Sequence, residues 1–335
     1  MPADTAILVT GAAGFIGAAL ARALLERGDR VIGIDNFNDY YDPALKHARI
    51  ATLAAFGDRF TLLDLDFGDT AALAGLVDAR FDRIVHLGAQ AGVRYSLLNP
   101  HAYAHSNLTG HLNLLELARH RAVRHMVYAS SSSVYGGNDS YPFRVEDRVD
   151  HPVSLYAATK KSNELMSEAY AHLYHIPLTG LRFFTVYGPW GRPDMAAWIF
   201  TAKILAGEPI AVFNHGKMRR DFTYIDDIIA GVIAALDHPP ADDGAAKAGG
   251  STQPHALYNI GNNRSEELSH MIDVLEAAIG RKAIRDFQPI QPGDVVATAA
   301  DIGAIERDLG FRPTVSIDVG LPRFVDWYRD YTGRR

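Results

Sequence analysis

Through the first half of the chain, short apolar runs rich in β-branched residues alternate with longer stretches whose apolar positions recur every three or four residues. A pattern that switches between period two and period 3.6 is how strand–helix–strand units of a parallel sheet are written in sequence. It predicts strands over 6–10, 30–35, 60–64, 83–87, 125–129 and 178–183, with the longest helices over 15–27, 107–120 and 154–175. After about residue 184 the pattern loosens, with Gly/Pro-rich connections at 188–193 and 291–294, and a smaller α/β portion is expected to cap the sheet. Residues 237–255, rich in Ala, Gly, Pro and Asp, have almost nothing to bury, so they read as a mobile surface loop rather than a linker between independent domains.

Composition narrows this picture mainly by exclusion. With 335 residues, 48% hydrophobic and 21% charged, the chain can bury a full core and form one large domain or two. No run approaches the roughly 20 apolar residues of a spanning helix. The opening Met1-Pro2-Ala3-Asp4-Thr5 lacks the basic stretch of a signal peptide, so no membrane partner and a cytoplasmic location are expected. A net charge of -6 argues against a nucleic-acid partner. The absence of cysteine removes thiolate ligands and cysteine nucleophiles. Fourteen histidines raise the question of a metal, but the nearest to ligand spacing, His172 and His175, have no suitably placed acidic residue, and no metal is expected.

The chemistry-bearing residues fall at the ends of the expected strands. Thr10-Gly11-Ala12-Ala13-Gly14-Phe15-Ile16-Gly17 closes the first strand and opens the first helix, where glycines allow close approach of a pyrophosphate and the helix N-terminus supplies N–H donors. Asp35 ends the second strand, where a carboxylate accepts ribose hydroxyls and repels a 2′-phosphate, which favours NAD over NADP. Arg49 and Arg59 lie too far along to act as phosphate clamps. Asn36 and Asn38 either line the ribose or make turns, and Asp66 either meets the adenine or caps the helix that follows. Phe67, Leu87, Ala89 and Gln90 flank the cofactor's path, and Asn107 serves either the site or the scaffold. On the helix over 154–175, Tyr156 and Lys160 share a face, so the ammonium could favour the phenolate. Ser131 stands 25 residues before Tyr156 in the run Ser130–Ser133, directly after a strand. Together they can do redox chemistry on an alcohol carbon.

These features resemble the extended branch of the short-chain dehydrogenase/reductase family over essentially the whole chain. The glycine loop, the Ser131/Tyr156/Lys160 set and the block Arg220-Asp221-Phe222-Thr223-Tyr224-Ile225-Asp226-Asp227 all match. Within that branch the likeness is closest to the UDP-glucuronate 4-epimerases. It rests on the stretches 35–43, 90–96 and 182–195, beginning Asp35-Asn36-Phe37, Gln90-Ala91-Gly92 and Arg182-Phe183-Phe184. The resemblance implies a Rossmann-type doubly wound parallel sheet over 1–183. It also implies a smaller C-terminal α/β substrate lobe over 184–335, some segments of which return to the large domain. Tightly held NAD, a homodimer through the two long helices and a UDP-sugar substrate follow from the same likeness.

The implied reaction is removal of the 4-hydroxyl proton by Tyr156, with Ser131 sharing the hydrogen bond and Lys160 lowering the phenol pKa, through a 4-keto sugar that rotates before reduction. Arg192, with Thr185 and Ser132 or Ser133, would hold the uronate carboxylate, with Arg94 a second candidate. A surface loop arginine and a packing threonine remain alternative readings. Arg220 resembles a diphosphate-binding arginine or pairs with Asp226 or Asp227, and Asp294 accepts from the nucleotide ribose or makes a turn. Related decarboxylases and dehydratases place an acidic residue where this chain has Ser133, and UDP-galactose-type relatives carry asparagine at the position of Thr185. A non-catalytic dinucleotide sensor would be expected to lack Tyr156 or Lys160.

Overall fold

The computed structural model describes residues 5–76, 79–291 and 295–334. Strands β1 (Ala6–Thr10), β2 (Arg30–Asp35), β3 (Phe60–Asp64), β4 (Phe81–His86), β5 (His125–Ser131) and β6 (Leu178–Phe183) form most of one sheet. Next come β7 (Thr185–Tyr187), β8 (Pro209–Val212), β9 (Arg219–Tyr224), β10 (His255–Ile260), β11 (Ser265–Glu267) and β12 (Ile284–Phe287). The seven-stranded sheet has the order β10-β6-β5-β4-β1-β2-β3 and is parallel throughout. Chain order therefore reverses at β1, between β4 and β2, where open sheets of this kind hold their ligands. Strand β10 runs beside β6, so the irregular segment after the helix Ile225–Asp237 leads back into the large sheet. The later residues build two small sheets, β11-β9-β7 and β12-β8.

Alternation along the strands explains the layers. Ile7 and Val9 of β1 face one core with Phe15, Leu20 and Leu24 of the helix Phe15–Arg27, while Ala6 and Leu8 face the other with Leu114, Leu115 and Ala118. Four of the six expected strands have the expected limits, and β4 and β5 are shifted or extended by two residues. The helix expected over 107–120 differs more. It is an α-helix only from Gly110, after a π-helical segment Ala104–Thr109. The wider turn lets Asn107 reach the backbone of Gln90, a long-range contact with no trace in local periodicity.

One buried ion pair ties the helix Leu155–Tyr174 to the sheet. Arg182 of β6 and Glu164 of the helix are both nearly inaccessible, and the guanidinium meets the carboxylate as a fork, Nε to Oε1 at 2.8 Å and Nη2 to Oε2 at 2.9 Å. Ser130 donates to the same carboxylate at 2.7 Å, and Arg182 reaches the Tyr135 hydroxyl at 3.0 Å and the Val145 carbonyl at 3.1 Å. Every charge is thus hydrogen-bonded as well as paired, the condition under which a buried ion pair is tolerated. Glu164→Ala or Arg182→Met alone is expected to cost about 3–5 kcal/mol, whereas the double variant should cost clearly less than the sum. Denaturant unfolding of the four proteins measures this, and additive losses would show that the two groups are not coupled.

Candidate active site

The carboxyl ends of β1, β2, β4 and β5 open into one cleft, and its walls carry most of the expected residues. Gly11, Gly14, Phe15, Ile16 and Gly17 line it together with Asp35, Asn36, Asn38, Phe67, Leu87, Ala89 and Gln90. Gly11 has φ 68°, and a Cβ there would stand 2.8 Å from the Cα of Gly88; at Gly17 a Cβ would overlap the Gly11 carbonyl oxygen. Only glycine fits either position. The helix that follows has Gly14 at its N-cap and no side-chain cap, so its first N–H groups remain available to an anion. Asp35 is aimed by its own hydrogen bonds, accepting from Ala13 N at 3.1 Å and Phe37 N at 2.9 Å.

Two expected cofactor residues do not line the cleft. Asn107 accepts from Gln90 N at 2.8 Å and donates to the Gln90 carbonyl at 3.0 Å and Thr159 Oγ1 at 3.1 Å, so it shapes the wall from within the scaffold. Asp66 accepts from Gly68 N at 2.7 Å, from Asn36 at 3.2 Å and meets His105 at 3.1 Å. Despite partial burial, these contacts hold its carboxyl below the ordinary range. The helix cap expected of it is supplied by Asp69 instead.

Ser131, Tyr156 and Lys160 share the opposite wall. Ser154 caps their helix by accepting from Ala157 N at 3.1 Å, which fixes where the first turn begins and so where Tyr156 points. Burial pushes the Tyr156 phenol above its ordinary pKa, and against this the Ser131 hydrogen bond and the Arg192 charge pull it down. Lys160, expected to favour the phenolate, is anchored on the sheet. Its ammonium donates to the Ala129 carbonyl at 2.8 Å, and burial lowers its pKa from 10.5 to about 8.

Among the described residues expected on the sugar side, only Arg192 joins the cleft. Its Nε and Nη2 form a fork on Asp194 at 2.9 and 2.8 Å, and Tyr40 donates to the same carboxylate at 3.1 Å. Burial disfavours the Arg192 charge, but Asp194 more than offsets it and raises the pKa. Thr185 opens β7 between the wall residues Phe184 and Val186, and Ser132 and Ser133 belong to the short turn Ser132–Tyr135 that Ser131 caps. Arg94 is exposed and stacks on Phe213, 5.1 Å from the ring centroid. Arg220 donates to the carbonyls of Arg219 and Val296, while Asp227 is met by Thr314 and Val315. Asp294 lies outside the described residues.

Sequence reasoning passed over Lys46, Tyr40 and Tyr41, all of which line the cleft. Lys46 is buried and reaches Asn38 at 3.0 Å and Asp35 at 3.4 Å. A signal was present in the helix Pro43–Ala51, where Lys46 and Arg49 fall on the same buried side as Leu45. Cations at core-facing positions of a helix mark a polar site beneath it.

A glycine loop at the first strand of a doubly wound sheet, a carboxylate at the second and a Ser–Tyr–Lys group in the same cleft define a dinucleotide-binding enzyme of the extended short-chain dehydrogenase/reductase type. The chain belongs to the NAD dependent epimerase/dehydratase family, whose model matches residues 7–261. It is 46% identical over 330-odd residues to UDP-glucuronate 4-epimerase 1 of Arabidopsis thaliana, covering 98% of this chain and 77% of that one. Against the probable UDP-glucuronate 4-epimerase of Rhizobium meliloti it is 46% identical, with 96% of both chains covered. Among solved structures it is similar to the UDP-glucuronic acid 4-epimerase of Bacillus cereus in complex with UDP-glucuronic acid and NAD. There the TM-score is 0.86 at 35% identity, with 98% of this chain and 100% of that one covered.

The depressed Lys160 pKa has a consequence for protein stripped of nucleotide. Between about 8 and 10.5 the unfolded chain binds more protons at this residue than the folded one, so stability rises with pH across that window. The contribution is complete above 10.5 and is lost as pH falls through about 8. Lys160→Met should therefore gain on the wild type by up to about 3 kcal/mol more at pH 7 than at pH 10.5. Thermal melts of both proteins across this range test it, and a pH-independent difference would rule it out.

Proposed function

We propose that the chain interconverts UDP-glucuronate and UDP-galacturonate by inverting C4 through a 4-keto sugar. The observation that carries this reading is the convergence of Ser131, Tyr156, Lys160 and Arg192 on the cleft that also holds the dinucleotide loop. The uncapped helix N-terminus and the aimed Asp35 carboxylate fit NAD. When bound, NAD supplies the hydride acceptor and donor at C4.

Tyr156 takes the 4-hydroxyl proton and later returns it, and Ser131 holds the reacting oxygen by a hydrogen bond. Since burial raises the Tyr156 pKa, the phenolate depends on nearby positive charge and on the Ser131 hydroxyl. Lys160, anchored on Ala129, supplies positive charge to that wall. Arg192 is turned by Asp194, which occupies the Nε–Nη2 edge and leaves Nη1 to meet the sugar carboxylate. A 4-keto uronate is a β-keto acid and loses CO₂ when the bond from C5 to its carboxylate stands perpendicular to the carbonyl plane. Anchoring that carboxylate through rotation keeps the bond out of this alignment.

The reading assigns residues 1–183 to the cofactor and 184–335, apart from β10, mainly to the UDP-sugar. It also includes a homodimer. Adjacent helices Gly110–His120 and Leu155–Tyr174 leave Leu112, Leu165, Leu173 and Tyr174 exposed, apolar surface that a second copy would cover.

Incubation with UDP-glucuronate should yield UDP-galacturonate to a stable ratio without CO₂. Tyr156→Phe should lose at least about 10²-fold in turnover, the usual scale of general-base removal. Arg192→Ala should reduce kcat/KM by about 10²-fold and release UDP-pentose with CO₂. Resolving the nucleotide sugars and assaying CO₂ decides the matter, and wild-type kinetics with an intact product ratio in Arg192→Ala would defeat the carboxylate assignment. Sedimentation should report a dimer that Leu165→Glu with Leu173→Glu converts to monomer; an unchanged dimer would place the interface elsewhere.

A further inference from the structure

Arg49 is buried at 1% exposure, and the partners of all five of its N–H groups are neutral oxygens. A buried cation bonded only to neutral groups is costly, and burial does lower its pKa. What those oxygens belong to is informative. Nη1 donates to the Ala13 carbonyl at 3.1 Å and to the Tyr41 hydroxyl at 2.7 Å. Nε and Nη2 both donate to the Trp190 carbonyl, at 3.1 and 2.7 Å, and Nη2 also reaches the Gly191 carbonyl at 3.3 Å. One side chain thus joins the dinucleotide loop to the two residues that precede Arg192.

A second observation concerns the far end of this brace. Trp190 has φ 65°, the left-handed region that a bulky residue enters only under constraint. Its indole packs on Trp327 and Tyr331, with centroids 5.2 and 5.4 Å away, and its carbonyl is the one Arg49 grips twice. Gly191 N closes a tight turn on the Gly188 carbonyl at 3.0 Å. The peptide from which Arg192 departs is therefore held from both sides. At the near end, Ala13 is held by Asp35 through its N–H and by Arg49 through its carbonyl.

We propose that Arg49 is a positioning residue for uronate selectivity, a strut from Ala13 to the strained Trp190–Gly191 peptide that places Arg192 at the sugar carboxylate. This rests on the assignment of Arg192 to that carboxylate. Arg49→Lys keeps the charge and loses the fork, and Arg49→Gln keeps a planar donor and loses the charge, so either variant serves if the other fails to fold.

The test uses the NAD-loaded enzyme, with NAD content and melting temperature recorded for each variant. kcat/KM is measured for UDP-glucuronate, with UDP-glucose as a competing neutral ligand, in wild type, Arg49→Lys, Arg49→Gln, Arg192→Ala and the double variants. Each Arg49 variant should lose about 10-fold or more in kcat/KM for UDP-glucuronate while the inhibition constant of UDP-glucose moves by less than about 2-fold. In the Arg192→Ala background it should cause no further loss of selectivity. Equal losses for both ligands, or an additive loss on Arg192→Ala, would reduce Arg49 to a brace of the fold and overturn the proposal. Full uronate selectivity in Arg192→Ala itself would instead bring down the carboxylate assignment, and the proposal with it.

Discussion

The buried pairing of Arg182 with Glu164 is the constraint on which the catalytic geometry depends. Glu164 lies on the same helix as Tyr156 and Lys160, and Ser130, which shares its carboxylate, precedes Ser131. The bond network continues through Tyr135 to Asn259 of β10 at 2.6 Å, and from Asn259 to the Phe143 and Asp301 carbonyls. Breaking the fork would leave a desolvated charge in the sheet, so the helix has one depth and one rotation at which the core is satisfied. That single setting puts Tyr156 against Ser131.

The cleft is built on the same economy of buried charge. Lys160, Lys46, Arg49 and Arg182 are all withdrawn from water around it, each satisfied by different means: a carbonyl, an aspartate with an asparagine, neutral oxygens and a full ion pair. Lys160 and Arg49, bonded to neutral oxygens, raise the local potential where nucleotide phosphates and a uronate would bind, and low dielectric lengthens their reach. The protein's overall negative charge is compatible with an anionic substrate because the positive charge is concentrated where it acts.

Much of this arrangement was legible in the chain. The strands β1, β2, β3 and β6 and the helix Phe15–Arg27 follow directly from short apolar runs and helical periodicity, because each is a local pattern dictated by burial against the core layers. The glycine loop and the Ser131/Tyr156/Lys160 set were legible for the same reason: each is a short motif whose spacing is enforced by a strand end or a helical turn. The sugar side was far less so. Of Ser132, Ser133, Thr185, Arg192, Arg220 and Arg94, only Arg192 lines the cleft; Thr185 and Arg220 lie in β7 and β9, whose place is set by long-range strand pairing that no local pattern encodes.

The sequence by itself determined the periodic elements, their alternation as units of a parallel sheet, and the short-spaced glycine and Ser–Tyr–Lys motifs, whereas the strand order with its reversal at β1 came from the folded sheet. The former depend on hydrophobic periodicity and on residue types at fixed short spacing. Tertiary structure alone decided the direction of each charge: Lys160 toward Ala129, Asp194 across Arg192, Arg49 back onto Ala13 and Trp190, and the π-turn that carries Asn107 to Gln90. A side chain's polar partner is chosen by whatever unsatisfied group the folded core leaves within reach, and no local pattern encodes that.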